Sequence, residues 1–136
     1  MADQLDHFSI VKPLIEAKRP DVMVTSWIPS VSYREFPLVN LRSLGGSRNR
    51  KYPNLLRIPI VEITAYSDTE YRDADELYDD VLDALYDAQL YQTMTPGGYI
   101  HSIKETMGKT SFDSPFDATW RVQGLVKLGI RPPNGG

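Results

Sequence analysis

Few side chains in this sequence stand at spacings that could do chemistry. Met107-Gly-Lys-Thr110 ends like a phosphate-binding loop, in which backbone N–H groups and a lysine would cradle phosphates. The full pattern needs a glycine five residues before Gly108, and position 103 is Ile. It also needs a helix to follow, whereas Ser-Phe-Asp-Ser-Pro follows, so the stretch reads as a turn between two strands. The only two histidines, His7 and His101, form a metal pair only if the fold joins them. His101 is expected on a mixed strand face with Tyr99, Ile103, Glu105 and Met107. No serine sits in a Gly-x-Ser-x-Gly elbow. Asp79, Asp80, Asp83 and Asp87 lack the glycine-bearing loop of common Ca²⁺ sites, and Mg²⁺ sites usually add substrate phosphates. They read as a solvated acidic face, or as a surface that meets DNA or a basic neighbour. No metal, cofactor or catalytic residue is assigned.

Arg42, Arg48, Arg50 and Lys51 form the main basic cluster. It admits three readings: a solvated hairpin loop, a contact to an acidic face of a neighbouring subunit or partner, or contact with phosphates. Tyr52 alone stands beside it as an aromatic platform for a base. Asp113-Ser-Pro-Phe-Asp117 reads as a compact turn, with Pro115 fixing the backbone.

The composition sets the frame for these residues. The chain has 136 residues, 41% hydrophobic and 24% charged, which suits one soluble domain. It has no cysteine, which removes disulfides, thiolate nucleophiles and cysteine-ligated metals. The formal net charge of −3 runs against a domain that clamps nucleic acid. No apolar run is long enough for a membrane span. The acidic first residues lack the apolar core of a secretion signal.

The elements that would position these residues follow from periodicity. Leu5, Phe8, Val11, Leu14 and Ile15 predict a helix over 5–19, kinked or restarted at Pro13 and ended by Pro20. Residues 21–28, 36–44 and 56–66 read as three strands. Residues 45–54 read as a flexible basic loop. A helix over about 73–92 carries an apolar stripe of Leu77, Val81, Ala84, Leu85 and Ala88, with Glu76, Asp80, Asp83 and Asp87 on another face, and Gly97-Gly98 breaks it. Residues 99–107 form a fourth strand, and 108–117 a loop. From Trp120 to Arg131 the chain alternates: Trp120, Val122, Val126, Leu128 and Ile130 on a core face, Arg121, Gln123, Lys127 and Arg131 on a wet one, with Leu125 the apolar exception. Pro132-Pro133 stops that strand, and 133–136 is a frayed tail. The order α-β-β-β-α-β-β predicts one α+β domain over 1–136. Its sheet of about five strands is mainly antiparallel, with two helices on one face.

Three segments together resemble a known family. They are Tyr33-Arg-Glu-Phe-Pro-Leu-Val-Asn-Leu-Arg-Ser-Leu-Gly-Gly46; Pro59-Ile-Val-Glu-Ile-Thr-Ala-Tyr66 with the acidic helix after it; and Gly98-Tyr-Ile-His-Ser-Ile-Lys-Glu-Thr-Met-Gly108 running through Phe112-Asp-Ser-Pro-Phe-Asp-Ala-Thr-Trp-Arg-Val-Gln-Gly-Leu-Val-Lys-Leu-Gly-Ile-Arg-Pro132. Their order and spacing over about residues 20–133 resemble the tail terminator proteins of long, non-contractile-tailed bacteriophages, lambda-type and especially those of actinobacterial hosts. The resemblance implies a structural virion protein with no enzymatic activity. It implies a hexameric ring that caps the head-proximal end of the tail tube, ends tube growth and docks the head-completion and connector proteins. Genomic DNA would pass through the ring without being read, and no membrane is involved. Assembly would take place in the host cytoplasm and the product would sit at the neck of the virion. A neighbouring head-to-tail joining or tail-completion protein is the alternative within the same assembly. On this reading Arg42, Arg48, Arg50 and Lys51 become candidates for docking to the tube or neck. Glu76, Asp80, Asp83 and Asp87 become a subunit-interface or lumen face, and Arg121, Gln123, Lys127 and Arg131 ring contacts.

Overall fold

The computed structural model describes residues 6–26, 35–48, 56–112, 114 and 119–133. Seven elements follow in the predicted order: α1 (His7–Lys18), β1 (Met23–Thr25), β2 (Leu38–Arg48), β3 (Arg57–Ser67), α2 (Tyr71–Tyr91), β4 (Tyr99–Phe112) and β5 (Trp120–Arg131). The strands form a single sheet in the order β1-β2-β3-β5-β4. Among the described residues only the β1–β2 pair is parallel; β2–β3, β3–β5 and β4–β5 are antiparallel. The α+β class and the mainly antiparallel sheet are therefore as the alternation predicts.

Both helices cover one face of that sheet. α1 starts at Asp6, whose carboxylate accepts a hydrogen bond from Ser9 N–H at 3.0 Å and so satisfies one of the helix's free donors. It runs through Pro13 as one helix. Proline removes the N–H that the carbonyl of Ser9 would accept, but no second helix starts there. Ile10, Val11 and Ile15 are buried, and Phe8 and Leu14 pack partly against them. α2 buries Ala74, Leu77, Tyr78, Val81, Leu82, Leu85 and Ala88. Opposite them lie Val39 and Leu41 from β2, Val61, Ile63 and Ala65 from β3, and Val122, Val126, Leu128 and Ile130 from β5. At about 25 cal/mol per Å² of apolar surface, this helix-on-sheet layer is the main stabilising term.

Two strand ends and the setting of Trp120 differ from the sequence reading, while α2 stops within a residue of its predicted end. β2 continues through Gly45 to Arg48, and Gly46, Ser47 and Arg48 pair with Pro59, Ile58 and Arg57. A bulge between Ser43 and Gly46 absorbs the glycines, and Gly45 takes a φ of +106°, which a side chain rarely adopts. Of the predicted basic loop, only 49–54 remains outside the strand, and it lies outside the described residues. α2 ends at Tyr91, before the Gly97-Gly98 pair, because Gln92 adopts a left-handed φ of 51° and its N–H closes on the carbonyls of Ala88 and Gln89. β4 runs on to Phe112, so Met107–Thr110 is strand, neither a phosphate loop nor a turn between strands. Trp120 is 37% exposed rather than in the core, since it opens β5 opposite Ser67 at the last rung of the ladder.

The sheet's second face is not uniformly wet. Leu38, Asn40, Thr64 and Tyr66 are buried there, and Thr25 Oγ1 donates to Asn40 Oδ1 at 3.2 Å. Toward β5 and β4 the same face opens: Gln123 and Leu125 are half-buried, and Lys104 and Lys127 are exposed.

Candidate functional site

Of the basic cluster read from the sequence, the two described members, Arg42 and Arg48, stand apart on β2. Arg42 stands opposite Glu62 on the second face of the sheet, with Nε 3.7 Å from Glu62 Oε1. Arg48 closes the far end of β2, roughly 20 Å along the strand at about 3.3 Å per residue. Arg50 and Lys51 lie outside the described residues.

The acidic residues of α2 divide by partner. Asp80 meets Arg19 at 2.9 Å, and Arg19 also grips Asp21 at 2.9 Å, which ties α2 to the segment after α1. The Arg19 guanidinium holds Asp21 below the usual carboxylate range, and the two carboxylates raise Arg19 in turn. Sequence reasoning missed a second set. Lys109 on β4 lies 3.0 Å from an oxygen of Asp75 and 3.0 Å from one of Asp79, and both raise its pKa. Pairing of this kind across a helix and a strand leaves no mark in local spacing. Among the described residues, Glu76, Asp83 and Asp87 have no ion pair, and all three are exposed.

β5 keeps its alternation. Val122, Gly124, Val126, Leu128 and Ile130 are buried, while Arg121, Gln123, Leu125 and Arg131 are half-buried and Lys127 is exposed. Arg121 stands between Tyr66 and Phe112 in register, and Arg131 opposite Tyr99. Lys127 lies directly opposite Lys104 of β4, another residue the sequence did not single out. Two ammonium groups at directly facing positions repel each other, a small cost within the isolated chain. Neither has an ion pair among the described residues.

β4 departs from ideal alternation where it matters for His101. The register shifts between Ile100 and Ser102, so His101 sits at a bulge. Ile103 then packs on the core side and Glu105 accepts from Tyr86 Oη of α2 at 3.0 Å, whereas Met107 pairs with Leu125 on the other face. The single mixed face of Tyr99, His101, Ile103, Glu105 and Met107 is therefore split. Gln89 Nε2 donates to the carbonyl of His101 at 3.3 Å and Gln92 Nε2 to that of Ile100 at 3.1 Å. The end of α2 thereby satisfies acceptors that the bulge frees. His7 belongs to α1, half-buried, its pKa lowered by desolvation. Among the described residues no three His, Cys, Asp or Glu side chains could hold a metal ion.

The last turns of α2 expose apolar groups. Leu90 is 67% and Tyr91 75% exposed, with Tyr86 and Met94 also open. Along α2, Asp83 and Leu90 stand three or four residues from both Tyr86 and Asp87, so these four share one strip of the helix. What the molecule offers is thus a set of surfaces on an α+β frame: a helix bearing unpaired acids and apolar side chains, and a sheet face bearing unpaired lysines.

The chain belongs to the family described as "Phage tail termination protein", whose model matches residues 4–136. It is 50% identical over 112 residues to the "Gene 22 protein" of Mycobacterium phage L5, covering 82% of this chain and 81% of that one. To the "Gene 22 protein" of Mycobacterium phage D29 it is 43% identical over 127 residues, 92% of this chain and 91% of that one. Among solved structures, a chain of the "Virion of native gene transfer agent (GTA) particle" superposes with a TM-score of 0.56 at 12% identity, over 90% of this chain and 92% of that one, a likeness of fold. The family makes this a structural protein of a phage tail, as the three sequence segments imply.

Proposed function

We propose that the chain forms a hexameric ring that caps the head-proximal end of the tail tube. The ring ends addition of tube subunits and offers the head-completion proteins their docking surface. DNA passes through its hole without being read. The observation that carries this reading is the match to the tail termination family over residues 4–136. The surfaces support it: a domain that closes on itself needs two unlike faces, and contacts between unlike faces close into a ring when the rotation allows. No reaction is assigned to the chain in this role, and its place is the virion neck after assembly in the host cytoplasm.

Within that role, the acidic face of α2 and the outward residues of β5 are the subunit contacts, and the tract containing Arg48, Arg50 and Lys51 docks on the tube. Electron microscopy of particles assembled without the gene tests the role. Overlong tubes detached from filled heads are expected. Tubes of normal length that fail to join heads would instead point to a joining protein, and complete particles would remove the structural role. The triple change Arg48→Glu, Arg50→Glu, Lys51→Glu is expected to leave the domain folded and impair attachment to tubes. Normal joining by that variant would sink the docking assignment.

A further inference from the structure

We infer that the exposed strip at the C-terminal half of α2 binds the β4–β5 face of the sheet of a second copy, with Asp83 and Asp87 set against Lys104 and Lys127. The inference rests on the ring reading above and names its contact.

The two surfaces lie on different layers of one chain. α2 packs on the face of the sheet that carries Val126, Leu128 and Ile103, whereas Lys104 and Lys127 point to the other side, as alternation from Ile103 and Val126 requires. A chain cannot fold its own helix strip onto its own lysines, but a second copy can supply either surface. Charge and spacing agree. Asp83 and Asp87 are four apart on a helix, which places their Cβ atoms about 5–6 Å from each other. Lys104 and Lys127 face each other across strands, which places theirs about 4.5–5.5 Å apart. Two carboxylates thus meet two ammonium groups at matching separation. All four are exposed and have no ion pair among the described residues, while the other aspartates of the helix body, Asp75, Asp79 and Asp80, already have cations from their own chain.

Apolar groups flank both charge pairs. Tyr86 and Leu90 are exposed beside the aspartates. Leu125, Met107 and Ile60 are half-buried around the lysines. Contact would remove those groups from water, which is where the affinity arises, and the charges would set orientation and suppress the wrong register. The opposed lysines, mildly unfavourable in the free chain, become favourable once an acidic strip lies on them. Because the two surfaces are unlike, each copy offers both, and the contact propagates head to tail until it closes.

The test is a charge exchange on the full chain. One variant carries Lys104→Glu and Lys127→Glu, the other Asp83→Lys and Asp87→Lys. Self-association is followed by sedimentation velocity and mass photometry, with far-UV circular dichroism confirming native helix and strand content. Each variant alone is expected to lose assembly by roughly 10-fold or more in apparent affinity, since like charges then face each other. A 1:1 mixture restores it, because each variant's altered surface then meets its complement. Variants that assemble like the parent chain would overturn the inference, and so would losses that mixing does not rescue. A parent chain that stays monomeric up to ~100 μM, far above the Kd of a stable contact, would also overturn it. Loss of binding to a short DNA duplex in the lysine variant, with assembly intact, would reassign that face to a polyanion. None of these results touches the terminator role itself, which the length of tubes decides.

Discussion

The hydroxyl of Tyr78 shows how one residue constrains another far away in sequence. It is buried, has no hydrogen-bond partner among the described residues, and lies where a side chain on Gly124 would have to go. Adding a methyl at Gly124 forces the ring or the strand aside, so Gly124→Ala is expected to cost about 1–3 kcal/mol, as overpacked cores do. Tyr78→Phe removes an unsatisfied hydroxyl and is expected to be neutral or mildly stabilising. Combined, the two changes should cost clearly less than Gly124→Ala alone, which a double-mutant cycle from urea unfolding measures. Burial, then Glu105, pushes Tyr78 up to about 12. Its unfolded value is lower, so the stabilising contribution is intact below pH 10 and fades as pH rises through about 12, a fade Tyr78→Phe should remove. His7 works in the other direction. Desolvation lowers its pKa from 6.5, so folding favours the neutral ring, and its contribution is intact above about 6.5 and lost as pH falls through the folded value. Thermal unfolding of the parent chain should therefore weaken from about pH 6.5 downward. Replacing His7 by Gln should flatten that limb, and an unchanged slope would refute the assignment. None of these couplings was legible in the sequence, since a glycine at the centre of an alternating strand and a tyrosine on a helix stripe look ordinary separately. The same holds for Lys104 and Lys109, whose partners are set by strand register.

At the level of elements, the prediction concerns the start of α1. Asp6 is the cap: its carboxylate accepts from Ser9 N–H, and Ser9 Oγ returns a bond to the Asp6 carbonyl at 3.2 Å. Asp6→Ala is expected to lower stability by about 1 kcal/mol, read as a shift of the urea midpoint at unchanged slope. Asp6→Asn should recover most of it. The seven elements and their order were legible because hydrophobic periodicity is strong in α2, β3 and β5, where core packing and local pattern agree. The misplaced ends share a physical cause. Gly45-Gly46 and Gly108 are turn signals in isolation, but neighbouring strands offer hydrogen bonds that outweigh local preference, and bulges accommodate the misfit. Gln92 ended α2 without a glycine because its side chain gains the carbonyls of Gln89 and Ile100 in exchange for a left-handed backbone. The parallel pairing of β1 with β2 left no trace in three residues.

On the scale of the whole molecule, charge is sorted by layer. The acids collect on α2, and those facing the body of the domain are matched by Arg19 and Lys109, while Glu76, Asp83 and Asp87 stay open. The lysine pair lies on the opposite layer. A net charge of −3 conceals that separation, which is why composition alone could argue against a nucleic-acid clamp but not locate a contact between copies. The separation has a measurable consequence. If two charge pairs orient the contact and apolar groups hold it, added salt should weaken assembly without abolishing it. The screening length falls from about 10 Å at 0.1 M to about 3 Å at 1 M, so most of the loss should come early and then level off. Sedimentation across that range is expected to show such a plateau. The Leu90→Ser variant should instead weaken assembly by a similar factor at every salt concentration, because the area it removes carries no charge. A contact that disappears entirely at high salt would mean that charges alone hold the copies together, and one indifferent to salt would remove Asp83, Asp87, Lys104 and Lys127 from it.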